Sequence, residues 1–302
     1  MKKISVFILL ALLLTVQTPS NAKILAEHRA RIEQNKITKT TTADLKAVFG
    51  EVLKQANKHN LVGMQSVYSK DFVNSDGFNY DIYMKMVEDT WKTYPDITYT
   101  SEITNIEFDE NYARVYVTET ATATSEEEVG QFKTIGELYS ISKCIYHLKK
   151  HGTIWLIESE QILEETSTLK YGDARYINIE LNSPKYIGAN KYYTSALTLD
   201  VPEKTIAVAS IGKENIVYPQ ATKTDEVFRK LSNENILERV FLSNKDNLNE
   251  YNMVSIGLTQ AENYDKDHIR VYMTGLAFIM TRVNVIPENK FIKEDRKDEQ
   301  SK

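Results

Sequence analysis

Proton transfer in an apolar pocket needs a carboxylate or an imidazole whose pKa burial has moved toward neutrality. It also needs a polar donor for the oxygen on which charge develops. Asp71, His147 and Tyr68 are the catalytic candidates of those types. Tyr83, Tyr139 and Tyr146 add phenolic donors, although 18 tyrosines make such donors common and core packing accounts for most of them. Metal chemistry has one candidate pattern, Cys144-x2-His147-x3-His151. Zinc needs ligands that converge on a tetrahedron, and on a regular strand Cys144 and His147 point to opposite faces. A buried thiol and two surface histidines are the reading kept, so no metal is expected. The H-E-x-x-H, EF-hand, G-x-S-x-G, Walker A and G-x-G-x-x-G patterns are absent. With only 11 glycines there is no phosphate cradle, and no cofactor is expected.

The elements that must position these residues follow from hydrophobic period. Thr41-x-x-Asp44 resembles a capping box, and Leu45, Val48, Phe49, Val52, Leu53 and Ala56 form one helical stripe. A shorter helix is predicted over Leu61–Ser69. A third starts near Asn79, with Tyr80, Tyr83, Met84, Val87, Trp91 and Tyr94 repeating helically until Pro95 ends it. The period then changes to two. Strands are predicted at Ile97–Phe108, Tyr112–Thr124 (Ala113, Val115 and Val117 alternating with polar residues), Gly136–Leu148 and Thr153–Ile162. Trp91 and Trp155 fall on the apolar stripes of their elements. Core packing is the default there, and an aromatic platform for a sugar or lipid is the alternative.

Two stretches carry a family resemblance. Val67-Tyr68-Ser69-Lys70-Asp71-Phe72-Val73 resembles an aromatic-x-x-Asp-Phe step between two helices, and Lys150-His151-Gly152-Thr153-Ile154-Trp155-Leu156-Ile157 resembles a Gly-x-x-Trp-x-Ile last strand. Both are similar to the nuclear transport factor two-like superfamily, which includes polyketide-cyclase-like and ketosteroid-isomerase-like proteins. The resemblance covers residues 41–166. It implies an α+β cone of three helices and a curved antiparallel sheet, with a pocket used for catalysis or binding, or filled by side chains. The pocket residues it implies are Tyr68, Phe72, Tyr83, Trp91, Tyr146 and Trp155. Asp71 is the carboxylate at the family step, where it more often braces the turn. Family members often dimerise through the open sheet face, so a homodimer through Thr118–Thr124 is expected, broken by charges at Val115 and Val117.

The chain has 302 residues, a net charge of −5 and one cysteine. This length predicts two domains, the acidic balance argues against nucleic acid, and a disulfide within one chain is excluded. Lys2, Lys3, the apolar run Ile4–Val16 and Ser20-Asn21-Ala22 read as a secretory signal peptide cleaved after Ala22. The expected location is periplasmic or extracellular, with a membrane role only if that segment is retained. The expected organisation is a signal peptide (1–22), a polar segment (23–40), the cone domain (41–168), a β-rich, sandwich-like domain (169–288) with a short helical insert at Thr224–Leu242, and a disordered tail (289–302). The leading functional expectation is a non-catalytic module that binds a small apolar ligand or a protein partner. The alternatives are an isomerase- or dehydratase-like enzyme and an anchored component of a cell-envelope assembly.

Overall fold

The computed structural model describes residues 19–129, 132–220, 226–232, 234–263 and 269–287. The chain divides between Val48 and Phe49 into two compact units. The described part of the first unit is helical throughout. Its helix, α1 (Pro19–Ala56), ends in the second unit. Pro19 occupies the first helical position, where its missing N–H has no intrahelical partner to lose. Ala26, Glu27, Arg29, Ala30, Arg31 and Glu33 are good helix formers, and no glycine occurs in the helix before Gly50. The helix expected from Thr41 therefore begins at Pro19, and the polar segment is part of it. Residues 1–18, with most of the expected signal peptide, and 288–302, with the expected tail, lie outside the described residues.

The second unit begins with the last turns of α1 and continues through α2 (Leu61–Gln65), whose Asn60 cap accepts from the Gly63 N–H at 3.2 Å. β1 (Tyr68–Asn74) follows, then α3 (Tyr80–Thr93), whose Asn79 cap accepts from Ile82 N–H at 3.0 Å. Four long strands come next: β2 (Thr98–Asp109), β3 (Tyr112–Val129), β4 (Phe132–His151) and β5 (Ile154–Gly172). A 3₁₀ turn (Asp173–Tyr176) leads to β6 (Ile179–Asn182), β7 (Tyr186–Gly188), β8 (Tyr192–Leu199) and β9 (Thr205–Asn215). Last are β10 (Arg229–Lys230), β11 (Ile236–Leu242), β12 (Glu250–Asn263) and β13 (Ile269–Ile286).

These strands correct the expected fold class. The chain is mostly β, and a three-helix α+β cone followed by a β-rich domain is not what forms. One 10-stranded sheet runs β10-β9-β12-β13-β5-β4-β3-β2, with β1 added in parallel to β5 and β7 in parallel to β13. The step read as lying between two helices is β1 itself. The helical insert is also overturned, because its described residues include β10 and β11. Ile236–Leu242 pairs antiparallel with β8, and Phe241 packs against Tyr193 with ring centroids 5.7 Å apart and the rings tilted by 40°. Apolar residues in adjacent pairs fit a helix stripe and a strand equally, and here the partner strand decides.

The two halves of the large sheet meet where β5 pairs with β13, from Thr166↔Thr281 to Gly172↔Gly275. Residues 168 and 169 both lie inside β5. Gly172 has φ 55°, and a Cβ there would collide with the carbonyl of Thr274. A second sheet, β11-β8-β6, shares a core with the large one through Leu197, Ala209, Ile256, Leu258 and Ala277, all buried. Each fully buried Leu or Ile contributes about 1.5–3 kcal/mol. A buried bidentate pair adds a second tie. Arg282 on β13 donates through Nη1 to Asp76 Oδ2 at 3.0 Å and through Nη2 to Asp76 Oδ1, fixing the turn that leads into α3.

Val115 and Val117 are buried on the inward face of β3, so they cannot form the outward dimer surface expected of them. The Val115→Lys variant would bury an unpaired ammonium. It is expected to lose several kcal/mol of stability, read as a fall in the urea midpoint. A wild-type midpoint with a lowered solution mass would overturn this placement.

Candidate functional site

Residues at alternate positions of β3 share its inward face: Ala113, Val115, Val117, Glu119, Ala121 and Ala123. Glu119 is the one charge in that stripe. On β4, Cys144, Tyr146 and Leu148 point the same way and are buried. On β5 the alternation is broken. Leu148 pairs with Ile157, whereas His147 pairs with Ser159, so Glu158 is an extra residue. This β-bulge reverses the parity of the strand beyond it. Trp155 and Ile157 are buried before it, and Glu160 is buried after it, opposite Tyr146.

Glu119, Cys144 and Glu160 thus converge from three adjacent strands, with one ligand atom from each lying within 4.8 Å of the others. The Tyr146 hydroxyl donates to Glu119 Oε2 at 3.0 Å. Glu160 Oε2 is buried without a hydrogen-bond partner among the described residues. Burial, then the neighbouring Glu119, pushes the Glu160 carboxyl up to about 8. Burial also raises Glu119, against the lowering effect of the Tyr146 hydrogen bond. The Cys144 thiol is raised by burial first and by Glu160 and Glu119 after it. Tyr68, Tyr83 and Tyr146 are all held well above the usual phenol range, with burial the largest cause.

A cavity of about 110 Å³ opens beside this cluster. Its apolar wall includes Phe49, Leu53, Met64, Val87 and Trp91, and its polar side includes Tyr68, Tyr83, Ser101, Glu119 and Tyr146. Phe49 meets Tyr146 edge-on at 5.2 Å, which turns that ring toward the cavity. His59 stacks on Trp91 at 5.1 Å and holds Ile97 O through Nε2 at 3.1 Å.

The expected residues divide among several places. Tyr68, Tyr83, Trp91 and Tyr146 line the cavity. Phe72 is fully buried and packs on Tyr68 and Tyr83 without lining it. Trp155 is buried elsewhere, with Lys150 Nζ 5.7 Å from its ring centre. Asp71 is exposed on β1. His147 faces away from Cys144, paired across the strands with Arg114. Exposed His151 contacts Glu158 at 2.7 Å. The carboxyls of the site, Glu119 and Glu160, were absent from the sequence expectations. Glu119 had a signal, because the Ala113-Val115-Val117 alternation runs straight into it. Glu160 had none, because only the bulge turns it inward.

His147 gives a test of these faces. Burial, then the Arg114 charge, lowers its pKa. The unfolded chain takes up that proton first, so the contribution to stability is present at high pH and is lost as pH falls through the ordinary histidine range. The Arg114→Gln variant should move the His147 titration upward in an NMR pH series. An unchanged titration would refute the pairing.

No protein-family profile and no curated protein matches the sequence. Several solved structures are similar to part of the chain. A protein described as a scytalone dehydratase from Novosphingobium aromaticivorans is 14% identical, covers 42% of this chain and 86% of its own, and has a TM-score of 0.37. A hexachlorocyclohexane dehydrochlorinase is 8% identical over 41% of this chain and 85% of its own, with a TM-score of 0.34. A protein described as a dehydratase of the nuclear transport factor two-like family from Streptomyces avermitilis is 8% identical over 41% of this chain and 96% of its own, with a TM-score of 0.33. At these scores the likenesses carry no conclusion about this chain's chemistry.

Proposed function

We propose that this chain binds a compact, uncharged, largely apolar small molecule in the cavity beneath the last turns of α1. The observation that carries the reading is the division of the cavity wall. Phe49, Leu53, Met64, Val87 and Trp91 supply apolar surface, and the hydrogen-bonded Glu119–Tyr146 pair supplies one polar end. Small-molecule sites combine a mostly apolar lining with a few placed polar groups in this way. Size limits the ligand. An apolar cavity of about 150 Å³ holds a benzene, so 110 Å³ suits a smaller molecule, such as a short branched chain bearing a hydroxyl or carbonyl.

The chain is proposed to act outside the cytoplasm, on the strength of Lys2, Lys3 and the apolar run Ile4–Val16. No helix among the described residues is long and apolar enough to cross a membrane. Native mass spectrometry of the protein produced from its own full-length sequence reads the N-terminus, the number of copies and any bound molecule together. The expected result is a chain starting at Lys23 that carries a discrete extra mass, with that mass lost in the cavity-filling Ala56→Phe variant. A wild-type chain that carries no extra mass and takes up no short branched alcohol or ketone would overturn the binding reading. A chain retaining Met1–Ala22 would overturn cleavage and favour the anchored form.

Acid–base catalysis in the same cavity is a second reading. It is favoured by a carboxyl and a phenol hydroxyl on one wall, already in contact at 3.0 Å. General acid–base groups contribute about 10²–10⁴-fold to rate. If the released molecule is turned over by the wild type, Glu119→Gln should lower the rate by that factor with the ligand still bound. An equal rate in the variant excludes Glu119 from the chemistry.

A further inference from the structure

We propose that Glu119, Cys144 and Glu160 form a binding site for a single borderline-soft divalent cation, zinc in the first instance. The inference goes beyond the small-molecule reading and does not depend on it. Three acidic side chains from β3, β4 and β5 bring one ligand atom each within 4.8 Å of the others. Cys144 and Glu160 are buried, at 2% and 6% exposure, and Glu160 Oε2 has no hydrogen-bond partner among the described residues. No lysine, arginine or histidine among the described residues forms an ion pair with any of the three. A buried acid without a basic partner stays neutral unless a metal ion takes up its charge, and no lysine, arginine or histidine among the described residues competes with a metal ion for these three groups.

The donor set selects the ion. Two carboxylate oxygens and one sulfur suit zinc-like ions, whereas magnesium and calcium take oxygen ligands alone. Tyr146 donates to Glu119 Oε2 and so restrains a ligating carboxylate from outside the cluster, as groups behind metal ligands commonly do. Glu119 also borders the cavity, which leaves that side for a fourth ligand. Three protein ligands with one open position is the arrangement of reactive zinc centres. Loading converts the Cys144 thiol to a thiolate and releases its proton to solvent. Any proton held on the two carboxyls leaves in the same way.

The experiment is a titration of the metal-free full-length chain with Co²⁺ alone, followed by Zn²⁺ competition, with no small molecule present. The expected result is one Co²⁺ per chain, a near-ultraviolet sulfur-to-cobalt charge-transfer band, and loss of that band when Zn²⁺ is added. Cys144→Ser should abolish the band, and Glu160→Gln should weaken binding at least tenfold, each in a chain with a wild-type circular dichroism spectrum. If neither variant folds, the wild-type band decides alone. No binding at saturating Co²⁺ overturns the proposal and leaves the three groups protonated. Binding without the band, or binding unchanged in folded variants, overturns it in favour of surface carboxylates. None of these outcomes alters whether the cavity holds a small molecule, which is read on metal-free protein.

Discussion

A strand bonded on both edges cannot slide without breaking two ladders at once. β5 is in that position at Ile157, at Ser159–Glu160 and from Thr166 to Tyr171. It pairs with β4 from Ile154 to Tyr171, with β1 at Tyr68 and Val73–Asn74, and with β13 from Thr166 to Gly172. Its register therefore fixes which residues of β4 face the cavity, where β1 joins the sheet, and how the second half of the chain continues the first. The buried Arg282–Asp76 pair acts in the same direction. It holds the turn before α3 to β13, and α3 carries Tyr83 and Trp91 to the cavity. Breaking a buried pair by removing one partner costs about 3–5 kcal/mol, so the position of that turn is strongly determined.

Polar groups in the interior follow two different rules. In the second half of the chain, Glu250 is fully buried, yet its oxygens accept from Lys213 at 2.8 Å, Asn244 N–H at 2.7 Å and Tyr193 at 3.0 Å. Asn252 joins the same network through Ser195 at 2.8 Å. Every donor there has an acceptor, and the network ties the two sheets together. The Glu119–Cys144–Glu160 cluster is of the opposite kind: Tyr146 donates to Glu119, while Glu160 Oε2 has no hydrogen-bond partner among the described residues. A fully satisfied network specifies structure, and an unsatisfied one in a buried site points to a group that arrives from outside.

Much of the local structure was legible in the sequence. The apolar stripe of α3 and the alternation of β3 each had a clear period, and Pro95 and Asn79 mark where α3 ends and begins. Of the six residues the resemblance implies, Tyr68, Tyr83, Trp91 and Tyr146 border the cavity beneath α1, and Phe72 and Trp155 do not. Three features resisted. The start of α1 was set at Thr41 because a capping signal there outweighed the helix propensity of residues 23–40, which has no apolar period to reveal it. The helix expected at Thr224–Leu242 failed because paired apolar residues such as Ile236-Leu237 and Val240-Phe241 satisfy both periods, and only β8 as a neighbour selects the strand. The joining of the two halves into one sheet depends on β5 and β13, separated by about a hundred residues, and no local pattern encodes such a pairing.

The bulge at Glu158 has a consequence for how this chain can vary in length. Most strands tolerate the loss of a residue by shifting toward the nearest turn. β5 has no such freedom, because its far end is pinned to β13 and its near end to the Trp155 side of the core. Loss of Glu158 would remove the bulge and leave Ser159 opposite His147 and Glu160 opposite Tyr146. If Glu158 instead took the place opposite His147, Ser159 would face Tyr146 and the carboxylate would turn to solvent. The chemistry of the site is thus written as much in the spacing of the strand as in the identity of its residues.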